Sequence, residues 1–202
     1  MTLSGLLRKR IEGFHRSLRK DNPLYRAAVS DTISEEVLRR YQANCRYLVR
    51  RTPHLLQAAA ASAARLDMPE LQAYYEQCLQ RFQSGRHHPS HPSGRGHRIS
   101  DDQLQPLPGM SGLVDYALAI IEKDPRLYLP CYWLAESFGV SDQGGDQPPL
   151  TGEPFLREEW AGIIGRFLDD PGQATSCLVA LENCMDWYSR FCWELVGQHG
   201  AA

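Results

Sequence analysis

The residue whose type and setting point most directly to chemistry is Glu136. It lies in the run Cys131-Tyr132-Trp133-Leu134-Ala135-Glu136-Ser137-Phe138, apolar on both sides. An ionised carboxylate is seldom buried unless it is paired or bound to a metal. A carboxyl with a raised pKa in such a run suits proton transfer or metal ligation. A carboxyl at a helix end, turned to water, is the other reading of the same residues. Histidines come next: His87, His88, His91 and His97 lie close together in the sequence. Imidazole is a good ligand for zinc, nickel or iron, although a loop cluster without a fixed frame binds metal weakly. His15 follows Phe14 beside an apolar helical stripe. It reads either as a helix-boundary residue or as an axial haem ligand projecting into an apolar slot.

The remaining candidates are weaker. Six cysteines (Cys45, Cys78, Cys131, Cys177, Cys184 and Cys192) form no CxxC pair and sit in apolar surroundings. They read as buried free thiols of a reducing cytoplasm. Cys131 has no sequence neighbour that would lower its pKa, so a structural thiol is expected there rather than a nucleophile. Glu158 and Glu159 precede Trp160 and match the ordinary first-turn placement of acids in a helix. Glu182 and Asp186 form an i,i+4 acidic pair of a solvated face. Gly144-Gly145-Asp146 lacks the strand-before, helix-after setting of a phosphate loop.

These side chains are positioned by a chain of 202 residues. That length predicts a single helical domain over 1–202 with a core that needs no staples. The formal net charge is −2, from 22 basic and 24 acidic residues, which argues against a nucleic-acid partner. No apolar stretch approaches the roughly 20 residues of a membrane span. The N-terminal stretch lacks the apolar segment of a signal peptide, so a cytoplasmic location is expected.

Period-2 alternation is nearly absent and helical periodicity is general, so the class is all-α. Leu3, Leu6, Leu7, Ile11, Phe14 and Leu18 share one face of a helix over 3–20. Asp21-Asn22-Pro23 breaks it, and 23–29 resumes. Thr32-x-x-Glu35 is a capping-box pattern, with Ser34 the alternative cap. That helix is expected to end before Pro53, with an alanine-rich helix over 53–66 after it. Met68-Pro69 opens the next. Residues 85–109, rich in Gly, Pro, Ser, His and Arg, read as an irregular loop, as do 140–153. Helices are expected at 111–122, 126–138 and 154–168, and from Asp170-Pro171 to about Val196. The sum is about seven helices around a central pocket, the kind of interior that suits a small molecule.

Several of these pieces occur in the order of a known superfamily. Asn22-Pro23-Leu24-Tyr25-Arg26-Ala27, then Ile33-Ser34 and Leu38-x-x-Tyr41, resemble the N-terminal signature of the haem-oxygenase-like helical superfamily. Asp124-Pro125, Tyr132-x-Leu134 and Glu136 resemble its central helix, and Phe155-Leu156-Arg157-Glu158 the helix after it. The branch most similar is the iron-containing redox enzymes, or haem-oxygenase-like diiron oxidases. These hold two irons by a Glu and a His seven residues apart, a Glu on the central helix, and a His-x3-Asp-x2-His set on the next.

The resemblance implies Glu136 as the central ligand or acid/base, and His87 as the paired histidine. The position seven residues before His87 is Gln80, which could orient but not ligate as a carboxylate. An alternative alignment, through Gly96-His97 and Asp102-x-Leu104, makes His97 the metal ligand. The last set is missing, since the corresponding stretch is Glu158-Glu159-Trp160-Ala161-Gly162-Ile163-Ile164-Gly165-Arg166. A complete two-iron site is therefore not expected, and the cofactor stays open between iron and haem. Leu3-Ser4-x-Leu6-Leu7-Arg8-x-x-Ile11-x-x-Phe14-His15 is in turn similar to the first helix of bacterial haem oxygenases, which makes His15 the proximal ligand of that alternative. The glycine-rich distal helix of those enzymes has no counterpart between Tyr132 and Gly139.

Three expectations follow. The leading one is a redox-family member with a depleted metal site, a possible oxidoreductase that acts on or binds a small organic molecule. The second is a non-catalytic interaction or accessory protein, as a homodimer or on a partner enzyme. The third is a haem oxygenase.

Overall fold

Thr2 opens the first helix, its hydroxyl accepting from the Gly5 N–H, a role that suits threonine at an N-cap. In this computed structural model the described residues are 2–86, 105–138, 159–168 and 171–197. Among them the secondary structure is helical throughout, with eight α-helices and no strand. These are α1 (Leu3–Asp21), α2 (Pro23–Val29), α3 (Glu35–Arg65), α4 (Pro69–Arg81), α5 (Pro108–Lys123), α6 (Tyr128–Ser137), α7 (Glu159–Phe167) and α8 (Pro171–Gly197). A π turn, Phe82–Arg86, extends α4, and a 3-10 turn, Pro125–Leu127, leads into α6. No helix among the described residues is long and apolar enough to cross a membrane.

Local chemistry accounts for most boundaries. Asn22 ends α1 and caps α2, its Oδ1 accepting from the Leu24 N–H, with Pro23 in the first position. Ser34, not Thr32, caps α3: its hydroxyl accepts from the Val37 N–H. The Thr32 hydroxyl instead donates to the Ala27 carbonyl, closing a turn in which Asp31 has φ 51°.

Two expected boundaries are corrected. α3 does not stop before Pro53; it continues unbroken to Arg65. Proline removes one N–H and crowds the carbonyl four residues back, at a cost of about 3 kcal/mol or more. Buried side chains on both sides of it, Leu48 before and Leu55, Leu56, Ala59 and Ala63 after, hold the helix against that cost. Burial of an apolar face, more than propensity, decides whether a helix forms in a protein. The second correction is α5, which starts at Pro108 rather than at 111. Its entry is fixed from a distance: Asn44 Oδ1 on α3 accepts from the Leu107 N–H at 2.8 Å, and Glu194 Oε2 on α8 accepts from the Gly109 N–H at 2.8 Å. The expected loop over 85–109 is thus helical at both margins, and 87–104 lies outside the described residues. So do the second loop, 140–153, and the start of the helix expected from 154.

α8 is the centre of the bundle, in contact with α1, α2, α3, α5 and α6. An apolar stripe along it is buried, from Cys177 through Leu181, Cys184, Met185, Tyr188, Phe191 and Cys192 to Leu195. α3 and α4 pack as a hairpin, with α5 against α3. α7 lies on α1 and α6. The α5–α8 contact is a close one: a Cβ on Gly109 would lie 2.5 Å from the Phe191 backbone nitrogen and 2.6 Å from its Cα.

Candidate functional site

α6 carries Glu136 and Ser137 side by side, the first bonded to Trp160 of α7 and the second to His15 of α1. Nine of its ten residues are buried, polar Glu136 and Ser137 among them. Glu136 is 8% exposed and faces α4 and α7. Its Oε2 accepts from the Trp160 indole N–H at 3.0 Å. Trp160 in turn stacks on Trp133, ring centroids 5.4 Å apart and nearly parallel, and meets Tyr132 and Tyr74 edge-on.

The phenols of Tyr74 and Tyr132 and the thiol of Cys78 border the same carboxyl. Burial, and after it the field of Glu136, pushes the Tyr132 phenol well above its ordinary range. Burial also raises Tyr74 and pushes the Cys78 thiol up to about 11. At the exposed rim Arg81 on α4 reaches Glu159 on α7 at 4.0 Å.

The other end of the site is His15. It is buried on α1, with Nε2 2.8 Å from the Ser137 hydroxyl. That hydroxyl also lies 2.7 Å from the Leu134 carbonyl, to which it donates. The ring lies against Phe138 at 4.5 Å between centroids. Ser137 was not singled out by the sequence, nor was the Trp160 indole. Their partners lie 122 and 24 residues away, beyond any local pattern.

Between α3, α5, α6 and α8 lies a cavity of about 30 Å³, lined by Cys45, Cys131 and Cys184 with Leu48, Met110, Leu134 and Tyr188 among their neighbours. Its lining is almost wholly apolar, and neither Glu136 nor His15 is part of it. The thiols of Cys45 and Cys131 are held protonated. Cys131 lies 3.5 Å from the Ala180 carbonyl and 3.6 Å from that of Leu127, which share its proton. Burial raises it further and pushes Cys45 up to about 12. Beside the cavity, Tyr188 is the middle of a phenol chain: its hydroxyl is 3.1 Å from that of Tyr25 and 3.0 Å from that of Tyr41.

An alkaline limit to stability follows. The thiols of Cys45, Cys78 and Cys177 sit at about 12, 11 and 11 in the fold against an ordinary 9. The unfolded chain loses those protons first, so it binds fewer protons than the folded one above pH 9. The denaturation midpoint is expected to hold up to about pH 9 and to fall steadily through pH 11. Urea titrations at stepped pH check this; a midpoint flat to pH 11 contradicts it.

The remaining sequence candidates are placed as follows. Gln80 is exposed on α4. His87, His88, His91, His97, Glu158 and Gly144-Gly145-Asp146 lie outside the described residues. Glu182 pairs with Arg10 of α1 at 3.5 Å, and Asp186 is exposed. Five of the six cysteines are buried and Cys45 is half-buried, all as free thiols. Among the described residues no three His, Cys, Asp or Glu side chains meet as a metal-ligand set.

Compared with protein-family models, curated proteins and solved structures, the chain matches none.

Proposed function

We propose that this chain is a non-catalytic interaction module built on a haem-oxygenase-like helical bundle. The observation that carries this reading is the use made of Glu136 and His15. Both are committed to hydrogen bonds between helices, Glu136 to Trp160 of α7 and His15 to Ser137 of α6. The described residues do not fit the groups that the resemblance implies. An axial haem ligand presents a bare imidazole nitrogen to iron, whereas His15 Nε2 is engaged with the Ser137 hydroxyl at 2.8 Å. A two-iron centre draws on several carboxylates and histidines at once, whereas Glu136 is surrounded by indole, phenol and thiol.

Protein purified without a histidine tag, then exposed to ferrous iron under anaerobic conditions and desalted, is expected to retain far less than stoichiometric iron. Haem titration is expected to give no Soret band that His15→Ala removes. Stoichiometric iron, or one haem lost in that variant, overturns the reading.

The cavity favours a second reading, a binding site for a very small apolar molecule. At about 30 Å³ it falls well short of the ~150 Å³ that accepts benzene. The organic substrate of the leading sequence expectation would have to be smaller than that.

A further inference from the structure

Four large apolar side chains are exposed among the described residues, and two of them, Val179 and Trp193, are on α8 at 50% and 52%. They are two heptads apart, so they share a face. Ser176, Val179, Asn183, Asp186, Arg190 and Trp193 follow one another along that face in steps of three and four. A solvated helix face is ordinarily rich in charge. This one has two charges, Asp186 and Arg190, of opposite sign and one turn apart. The Arg190 side chain reaches Glu194 and lies over the Trp187 ring yet remains 63% exposed.

That pattern complements itself in one orientation. About a twofold axis level with residue 188, an antiparallel copy of α8 sets Asp186 against the partner's Arg190, and Arg190 against the partner's Asp186. The same register lays Trp193 level with the partner's Asn183 and one turn from the partner's Val179. A parallel copy would oppose like charges at both levels. A twofold contact uses the same patch on both copies, as this one does.

We propose that α8 pairs antiparallel with α8 of a second copy of this chain, through Trp193 and the reciprocal Asp186–Arg190 contacts. The pairing rests on the interaction-module reading and names its partner.

Sedimentation equilibrium on the full chain, from about 10 µM to about 1 mM, spans the affinities of a modest interface. The wild-type mass is expected to rise to that of a dimer. Asp186→Arg and Arg190→Asp are each expected to weaken association at least ~10-fold, because like charges then face one another. Mixed together, these two variants are expected to recover a heterodimer. Trp193→Glu is expected to stay monomeric. Thermal melts of every variant separate loss of pairing from loss of fold. A wild-type monomer throughout the range, a dimer in folded Trp193→Glu, or no association on mixing two folded charge variants overturns the pairing. A monomer that also takes up no iron leaves the interaction-module reading standing without this interface. Stoichiometric iron removes that reading whether or not the copies pair.

Discussion

Gly109→Ala is expected to destabilise the fold by about 3 kcal/mol or more, the upper part of the range for overpacking. The added carbon would meet the Phe191 backbone nitrogen at 2.5 Å and its Cα at 2.6 Å. Backbone cannot rotate away as a side chain can, so α5 and α8 must separate. Separation also lengthens the bond from the Gly109 N–H to Glu194. For a chain of this size the melting temperature is expected to fall by about 6–12 °C.

Gly112 offers an internal comparison. A Cβ there runs into the Trp187 ring, a half-buried side chain that can shift, so Gly112→Ala is expected to cost less. Gly162 and Gly165 of α7 have open space where a Cβ would go. Alanine at either is expected to raise stability by roughly 0.5–1 kcal/mol, the helix preference of alanine over glycine. Thermal melts of the four variants give the order directly. Gly109→Ala as stable as wild type would contradict the close α5–α8 approach.

Trp160→Ala is expected to have the largest effect of any single side-chain truncation in the Glu136 site. Removing a buried tryptophan costs about 3–5 kcal/mol, and the Glu136 carboxyl loses the indole N–H that it accepts from. A buried acceptor left without its partner adds about 1–3 kcal/mol. The total approaches the whole stability of an ordinary domain, so the variant is expected to be largely unfolded at 37 °C. Trp160→Phe keeps an aromatic face against Trp133 and deletes the donor, so a smaller loss of about 1–3 kcal/mol is expected. Glu136→Gln retains an acceptor oxygen and is expected to be nearly neutral. Chemical denaturation of the three variants resolves these sizes. A Trp160→Ala protein as stable as Glu136→Gln would show that the indole is not what anchors the carboxyl.

The helices were legible because their signals are local. Asn22-Pro23, Ser34 and Met68-Pro69 mark starts, and the Leu7, Ile11 and Leu18 stripe marks an inward face. For Glu136 the sequence left two readings open, a carboxyl within the apolar interior or one turned to water at a helix end, and burial at 8% exposure decides for the first. What it does there was not legible, since its donor is on another helix. Pro53 misled for the opposite reason. Its local preference is strong, and the burial of Leu55, Leu56 and Ala59 that outweighs it belongs to the tertiary structure. The start of α5 was read three residues late because Asn44 and Glu194, which satisfy its first amides, lie far away in the chain.

The phenol chain through Tyr188 bears on how the protein is made. Tyr25 and Tyr41 are synthesised 163 and 147 residues before the hydroxyl that both approach. While the ribosome is still at work, α3 and α4 can close on each other, being adjacent in the chain. α1 meets α6 and α7 first, whereas Tyr25 of α2 and Tyr41 of α3 find their hydroxyl partner only when α8 emerges from the exit tunnel. Completion of the core is thus deferred until α8 is made. A nascent chain halted before Tyr188 would hold its N-terminal helices half-covered, with two phenols waiting for their partner.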